Sequence, residues 1–202
     1  MMTITYEGRN SIYVNMTNRC PCRCVFCLRY NKDHVFNVSS LWLDREPTVK
    51  EVCESIDAWD VAKYDEIVFC GYGEPTERLD DLLEVAAYIK SKYKKKIRIN
   101  TNGLSDLING EKTAHKLLGL IDSVSISLNA TDREEYLKIV RPKFGIDSYD
   151  AMLSFAGDCK EYVPEVVMTV VDVVTSREEQ ERSREICESI GVKLRVRPYE
   201  EN

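Results

Sequence analysis

Four cysteines crowd into one short stretch of this chain, Thr17-Asn18-Arg19-Cys20-Pro21-Cys22-Arg23-Cys24-Val25-Phe26-Cys27. Cys20, Cys24 and Cys27 alone make a C-x3-C-x2-C run. Thiolates at such spacing suit soft metal centres. Three of them around a cubane iron–sulfur cluster leave one iron with an open coordination position, where a small molecule can react. Zinc is the competing reading, because Cys22 supplies a fourth thiolate for a tetrahedral site. Four ligands so close in sequence are cramped, however, and no second C-x2-C or H-x3-H pair follows downstream.

Other chemistry is narrowed by what the chain does not contain. His34 and His115 are its 2 histidines, which leaves little for a histidine-driven acid–base pair or nucleophile triad. A P-loop is absent from the sequence. Cys53, Cys70, Cys159 and Cys187 each stand singly within helix or strand patterns and read as small apolar packing residues. With 8 cysteines in 202 residues and no signal-peptide pattern, a disulfide framework is not expected, and a reducing, cytoplasmic location is.

At 44% hydrophobic and 31% charged residues, the chain reads as one globular domain over residues 1–202. No apolar run is long enough to cross a bilayer. The 28 basic residues are outnumbered by 34 acidic ones, so the net charge of -6 gives no general attraction for nucleic acid or anionic membrane. The dense basic run, Lys90 to Lys96, reads as the solvated end of a helix.

The elements that would position the cysteines alternate between short β-rich runs and longer helical patterns, the mark of a parallel sheet covered by helices. Strands are expected at Ser11–Met16, Glu66–Cys70, Lys96–Asn100, Ser123–Leu128, Val166–Val174 and Lys193–Pro198. Capping boxes are read at Thr48 with Glu51, Thr131 with Glu134 and Ser176 with Glu179. Leu79–Tyr93 patterns as an amphipathic helix, Lys112 to Leu120 as a shorter one, and Asn31 to Glu46 as a mobile loop. Six such units are too few to close an eight-stranded barrel. The expected fold is therefore α/β, a partial (β/α)6 barrel with a mostly parallel, laterally open sheet.

Ligands of parallel α/β folds collect at the carboxyl ends of the strands. There the sequence places Cys20, Gly71-Tyr72-Gly73-Glu74-Pro75, Asn100-Thr101-Asn102-Gly103 and Ser127-Leu128-Asn129. Each segment also has a plain reading: glycines and Pro form a strand-to-helix turn, and Asn and Ser form loops. Alternation sets Ser125, Ser127 and Asn129 on one face and Val124, Ile126 and Leu128 on the other, which fits a polar ligand on the first.

The cysteine run and the glycine turn resemble those of the radical S-adenosylmethionine (SAM) enzymes. The resemblance implies a [4Fe-4S] cluster held by Cys20, Cys24 and Cys27, with SAM chelating the remaining iron and cleaved reductively to a 5′-deoxyadenosyl radical. Gly71, Tyr72, Gly73 and Glu74 match the Gly-Gly-Glu-Pro motif that receives the SAM amino group, with Tyr72 in place of the second glycine. Phe26 matches the aromatic set against adenine. Asn100, Asn102, Ser127 and Asn129 stand where the family meets the ribose hydroxyls and methionine carboxylate, and Arg141 is either a carboxylate contact or a solvent-exposed helix-end arginine.

No sequence remains for an auxiliary-cluster domain. The chain is also similar to the small TatD-associated radical SAM proteins, in its Thr-Asn-Arg-Cys-Pro-Cys opening, its Gly-Tyr-Gly-Glu-Pro-Thr turn and its Leu-Arg-Val-Arg-Pro-Tyr end. That implies a functional association with a TatD-type hydrolase and an electron donor such as flavodoxin or ferredoxin. The substrate is left open among a macromolecule, a peptide and a small anion. A metal- or cluster-binding sensor module without SAM turnover is the alternative function.

The last strand puts Lys193, Arg195, Arg197 and Tyr199 on one face. Two readings stand: a charged edge that blocks strand pairing, or an inward face that binds an anion, joined by Arg29 and Tyr30.

Overall fold

The structure, a computed structural model, describes residues 2–31, 35, 36, 38, 40–172 and 175–198. Its strands are β1 (Thr5–Gly8), β2 (Ser11–Val14), β3 (Glu66–Phe69), β4 (Lys96–Thr101), β5 (Ser123–Ser127), β6 (Glu165–Val171) and β7 (Lys193–Arg197). They form one sheet in the order β1-β2-β3-β4-β5-β6-β7. Every neighbouring pair from β2 to β7 is parallel, and β1 runs antiparallel to β2. The open α/β sheet is the architecture expected, with one strand more than the six read from the sequence. The extra strand forms a hairpin through Arg9 and Asn10, whose φ angles of 46° and 59° make the tight left-handed turn such hairpins use.

The helices are α1 (Leu28–Asn31), α2 (Val49–Asp57), α3 (Leu79–Tyr93), α4 (Ser105–Asn109), α5 (Arg133–Val140), α6 (Asp147–Cys159) and α7 (Arg177–Ser189). Capping boxes start α2 at Thr48 and α7 at Ser176 as expected. At α5 the cap is one residue later than read: Asp132, not Thr131, accepts the Glu135 N–H, since an aspartate reaches the same donor. The helix expected from Lys112 to Leu120 is only a 3-10 turn, Ala114–Leu117. Of the loop expected to be mobile, Lys32, Asp33, His34, Asn37 and Ser39 lie outside the described residues, while Leu41 and Leu43 are buried anchors. The strand expected at Val166–Val174 runs to Val171, and Val173 and Val174 lie outside the described residues.

Strand alternation divides the sheet into two chemistries. Ile12, Val14, Ile67, Phe69, Ile97, Ile99, Val124, Ile126, Met168 and Val170 all join the buried helices in one core. Opposite them, in register across the strands, stand Tyr13, Val68, Arg98, Asn100, Ser125, Ser127, Thr169, Arg195 and Arg197. A flat sheet would set β3 and β7 about 19 Å apart at the usual strand spacing. Arg197 nevertheless lies close enough to Cys70, just past β3, for its charge to act on that thiol. The sheet is thus curled, and the polar face is its concave side. A second buried cluster, Tyr6, Tyr13, Leu41, Val68 and Tyr72, fills part of that hollow.

Candidate functional site

The cysteine loop leaves β2 and is tied down on three sides by its own backbone. The Glu74 N–H donates to Arg19 O at 2.8 Å, the Arg23 N–H to Val140 O at 3.0 Å, the Val25 N–H to Ile139 O at 2.9 Å and the Lys143 N–H to Pro21 O at 2.8 Å. Side chains add to this. Asn18 exchanges hydrogen bonds with the Leu43 backbone at 2.7 and 3.1 Å, and Arg19 Nε pairs with Glu46 at 2.7 Å. A loop so held presents its thiols in a fixed order.

The glycines of the following turn are required by close approach. A Cβ on Gly71 would meet Asn15 Oδ1 at 2.1 Å, and one on Gly73 would meet the Thr17 carbonyl oxygen at 2.2 Å. The turn therefore packs against the cysteine loop as bare backbone. Tyr72, the departure from a second glycine, turns into the concave cluster and sets its ring against Trp42, with centroids 5.3 Å apart.

Glu74 has a different task from the one expected. It was read as an acceptor for the SAM amino group, but it is only 3% exposed and both oxygens are taken. Oε1 accepts from the Thr76 N–H at 3.1 Å, the Thr76 hydroxyl at 2.8 Å and the Thr101 hydroxyl at 2.7 Å, and Oε2 from the Asn102 N–H at 2.8 Å. Burial pushes its pKa up, against the pull of these bonds. The carboxylate is thus a brace between the ends of β3 and β4. Thr76 and Thr101, absent from the sequence reading, complete it; nothing in their spacing from Glu74 signals that they meet.

What the brace fixes is Asn102. Its Nδ2 lies 3.9 Å from Cys20 Sγ and 3.6 Å from Cys22 Sγ, while its Oδ1 accepts the Leu104 N–H at 2.9 Å. The Cys22 thiol donates toward Cys20 and Cys24, holding both below the ordinary thiol value and leaving Cys22 far above it. Burial raises Cys27. Thiolate is the ligand form of cysteine; Cys22, 3% exposed, belongs to the apolar core, while Cys20 and Cys24 are partly buried against it. Cys27 stands at the entry to α1, its N–H on Cys24 O at 3.2 Å. Among the described residues no three His, Cys, Asp or Glu side chains are arranged to hold a metal ion as they stand. The donor chemistry nonetheless fits a three-thiolate cluster, with Asn102 donating toward one of the three sulfurs.

Beside the loop runs a cleft of about 130 Å³ lined by Val25, Phe26, Asn129, Ala130, Thr131, Glu135, Ile139, Thr175 and Glu179. It joins two of the expected ligand contacts, Phe26 and Asn129. Thr175 and Glu179 were not foreseen, because they arrive from the start of α7. Ser127 lies on the concave face one strand position away from the mouth, and Asn100 accepts from Arg98 Nη1 at 2.7 Å. Arg141 is the exposed helix-end residue of the two readings: it terminates α5 at φ 50° and its Nε returns to Lys138 O at 3.1 Å. Arg29 lies over the rings of Tyr30 and Trp42, at 4.7 and 5.9 Å.

No curated protein matches the chain in sequence. Solved structures match it in fold. SuiB of Streptococcus suis, bound to S-adenosylmethionine, superposes with a TM-score of 0.66 at 18% identity over 94% of this chain and 38% of its own. A radical SAM methyltransferase from Sphaerobacter thermophilus gives 0.65 at 15% identity over 98% of this chain and 69% of its own. Methylornithine synthase (PylB) gives 0.63 at 16% identity over 94% of this chain and 53% of its own. The chain thus spans from about two fifths to about two thirds of these structures' lengths. The profile described as the radical SAM superfamily matches residues 14–186, from the end of β2 through the cysteine loop into α7. With that match laid over a braced three-cysteine loop at the mouth of an open parallel sheet, the chain belongs to the radical SAM superfamily, which implies a [4Fe-4S] cluster and SAM.

Proposed function

We propose that this protein is a radical SAM enzyme in which Cys20, Cys24 and Cys27 hold the cluster and the cleft beside Phe26 and Asn129 takes the nucleoside end of SAM. The observation that carries this reading is the braced loop: three cysteines on one backbone-anchored segment, with Asn102, fixed by Glu74, set against Cys20. When bound, the cluster would pass one electron to SAM, giving methionine and a 5′-deoxyadenosyl radical that takes a hydrogen atom from substrate to become 5′-deoxyadenosine. The chain's own part is positional. The backbone ends at Gly71 and Gly73 leave carbonyl groups for the SAM amino group, Phe26 offers a ring for adenine, and Asn129 and Ser127 offer polar groups for ribose and carboxylate.

The same proposal places the chain, as a radical SAM core domain, in the small TatD-associated group, with a functional link to a TatD-type hydrolase. It places the protein in the cytoplasm, where flavodoxin or ferredoxin supplies the electron. In support, no helix among the described residues is long and apolar enough to cross a membrane. Anaerobic reconstitution followed by reduction with dithionite and SAM tests the activity. The expected result is 5′-deoxyadenosine and methionine in equal amounts. About four irons per chain with no SAM cleavage would instead support a sensor module.

A further inference from the structure

Arg197 is a partly buried cation on the inner face of the last strand. Register sets it opposite Val171 at the carboxyl end of β7, on the concave face. Its Nε is buried and has no hydrogen-bond partner, and among the described residues no carboxylate pairs with it. Burial, and then the neighbouring cations Arg9, Arg195 and Arg98, push its pKa below the ordinary guanidinium value.

The surroundings differ sharply in how well they are satisfied. Arg98 has Glu66 at 2.8 Å and Asn100 at 2.7 Å, so the amino end of the hollow is closed by a matched pair. Arg195, on the same face as Arg197 by alternation, is exposed and feels Glu165 instead. The two arginines are therefore not equivalent: Arg197 is partly buried with its Nε enclosed, and Arg195 is exposed. Arg29 is engaged with Tyr30 and Trp42 and does not join them.

A guanidinium N–H buried without an acceptor is costly, and a ligand that supplies the acceptor removes that cost. Its fork of donors matches the planar or tetrahedral oxygens of an oxyanion. We propose that Arg197 is the recognition point for an oxyanion group, a carboxylate or a phosphate, carried by the substrate and directed into the hollow from the carboxyl-end mouth. This rests on the radical SAM reading for the word substrate. The anion site itself stands on Arg197 alone. Arg197 does not line the cleft beside Phe26, which separates its ligand from the group that cleft would take.

The test is binding to the reconstituted full chain, by calorimetry and by melting shift. Sodium phosphate and sodium acetate are titrated separately against sodium chloride at equal ionic strength. The expected result is saturable binding of at least one of them, weakened at least about tenfold in Arg197→Met and within about twofold of wild type in Arg195→Met. The preferred anion names the class, phosphate or carboxylate. Without anion, Arg197→Met is expected to melt at or above wild type, because a buried N–H without an acceptor has been removed. Should that variant fail to fold, Arg197→Lys answers the same question, with weakened binding at unchanged melting expected. No saturable binding of either anion, or equal binding in the Arg197 variants, would overturn the proposal. So would competition by SAM, which would give Arg197 to the SAM carboxylate. Anion binding that persists in a protein unable to cleave SAM would sink the radical reading and leave this site standing.

Discussion

The two sides of the sheet's mouth are built on opposite terms. The Glu74 carboxylate has its partners inside the chain: buried, it is matched by two backbone N–H groups and two hydroxyls. At the end of β7 a buried guanidinium nitrogen has none. The first arrangement holds a geometry before any ligand arrives, whereas the second is incomplete until one does. On the proposed reading the rigid side would take the cofactor and the unsatisfied side the substrate, a division in which preorganisation helps where the chemistry is fixed and an unfilled donor selects what enters.

The largest effect that tests this contrast lies in the thiols. Cys20→Ala, Cys24→Ala and Cys27→Ala should each reduce iron from about four per chain to near none after reconstitution. Cys22→Ala should keep it, since that thiol is a core residue and a donor to its neighbours. Iron loss in the Cys22 variant would make it a ligand and end the assignment.

Next is Gly73→Ala, whose methyl would stand 2.2 Å from the Thr17 carbonyl oxygen and 2.7 Å from that of Arg19. Forcing backbone apart there should cost about 3 kcal/mol. Calorimetry should then find melting lowered by roughly 6–12 °C for a chain of this size. An unchanged melting point would show that the turn does not press on the cysteine loop.

Glu74→Ala should cost about 2 kcal/mol by stranding buried donors on Thr76, Thr101 and Asn102. Iron should remain, and SAM affinity should fall because Asn102 loses its anchor. The opposite sign expected at Arg197, where removing a buried N–H without an acceptor does not lower melting, is the sharpest form of the comparison. Equal losses on both sides would erase it.

The N-terminus of α2 belongs to neither side and calibrates both. The Arg45 guanidinium, together with the Thr48 backbone, holds Glu51 well below the ordinary value of 4.5, at about 2. A depressed carboxylate stabilises the fold when ionised. Its contribution is therefore present above about pH 4.5 and is lost as pH falls through about 2. Wild type should out-melt Glu51→Gln by a small margin near neutrality, and the two curves should converge in acid. A margin that grows on acidification would reverse the sign.

Much of this was legible in the sequence where local chemistry decides. Alternation named both faces of β5 because Val124, Ile126 and Leu128 can only be buried among helices. The span of α3 and the caps at Thr48 and Ser176 follow from periodicity and from hydroxyls that reach backbone donors. β1 escaped because four residues carry too little pattern, and α6 because its N-cap, Ile146, offers no side-chain hydrogen bond to mark the start. Glu74 was misread because its partners lie 2, 27 and 28 positions away, and sequence does not say which donors a carboxylate will gather. Arg195 and Arg197 share a face by alternation, yet only the curl of the whole sheet separates an exposed residue from a partly buried one.

The strictly sequential strand order has a consequence for how the protein is made. Each strand's partner has already left the ribosome when that strand emerges, so the sheet can be laid down in order of synthesis, without waiting for a distant segment. The cysteine loop reaches a backbone anchor at Lys143, well before β7 is translated. Cluster insertion and closure of the far edge are thus separable in time, and a nascent chain halted between them would present folded cysteine supports beside an unfinished hollow.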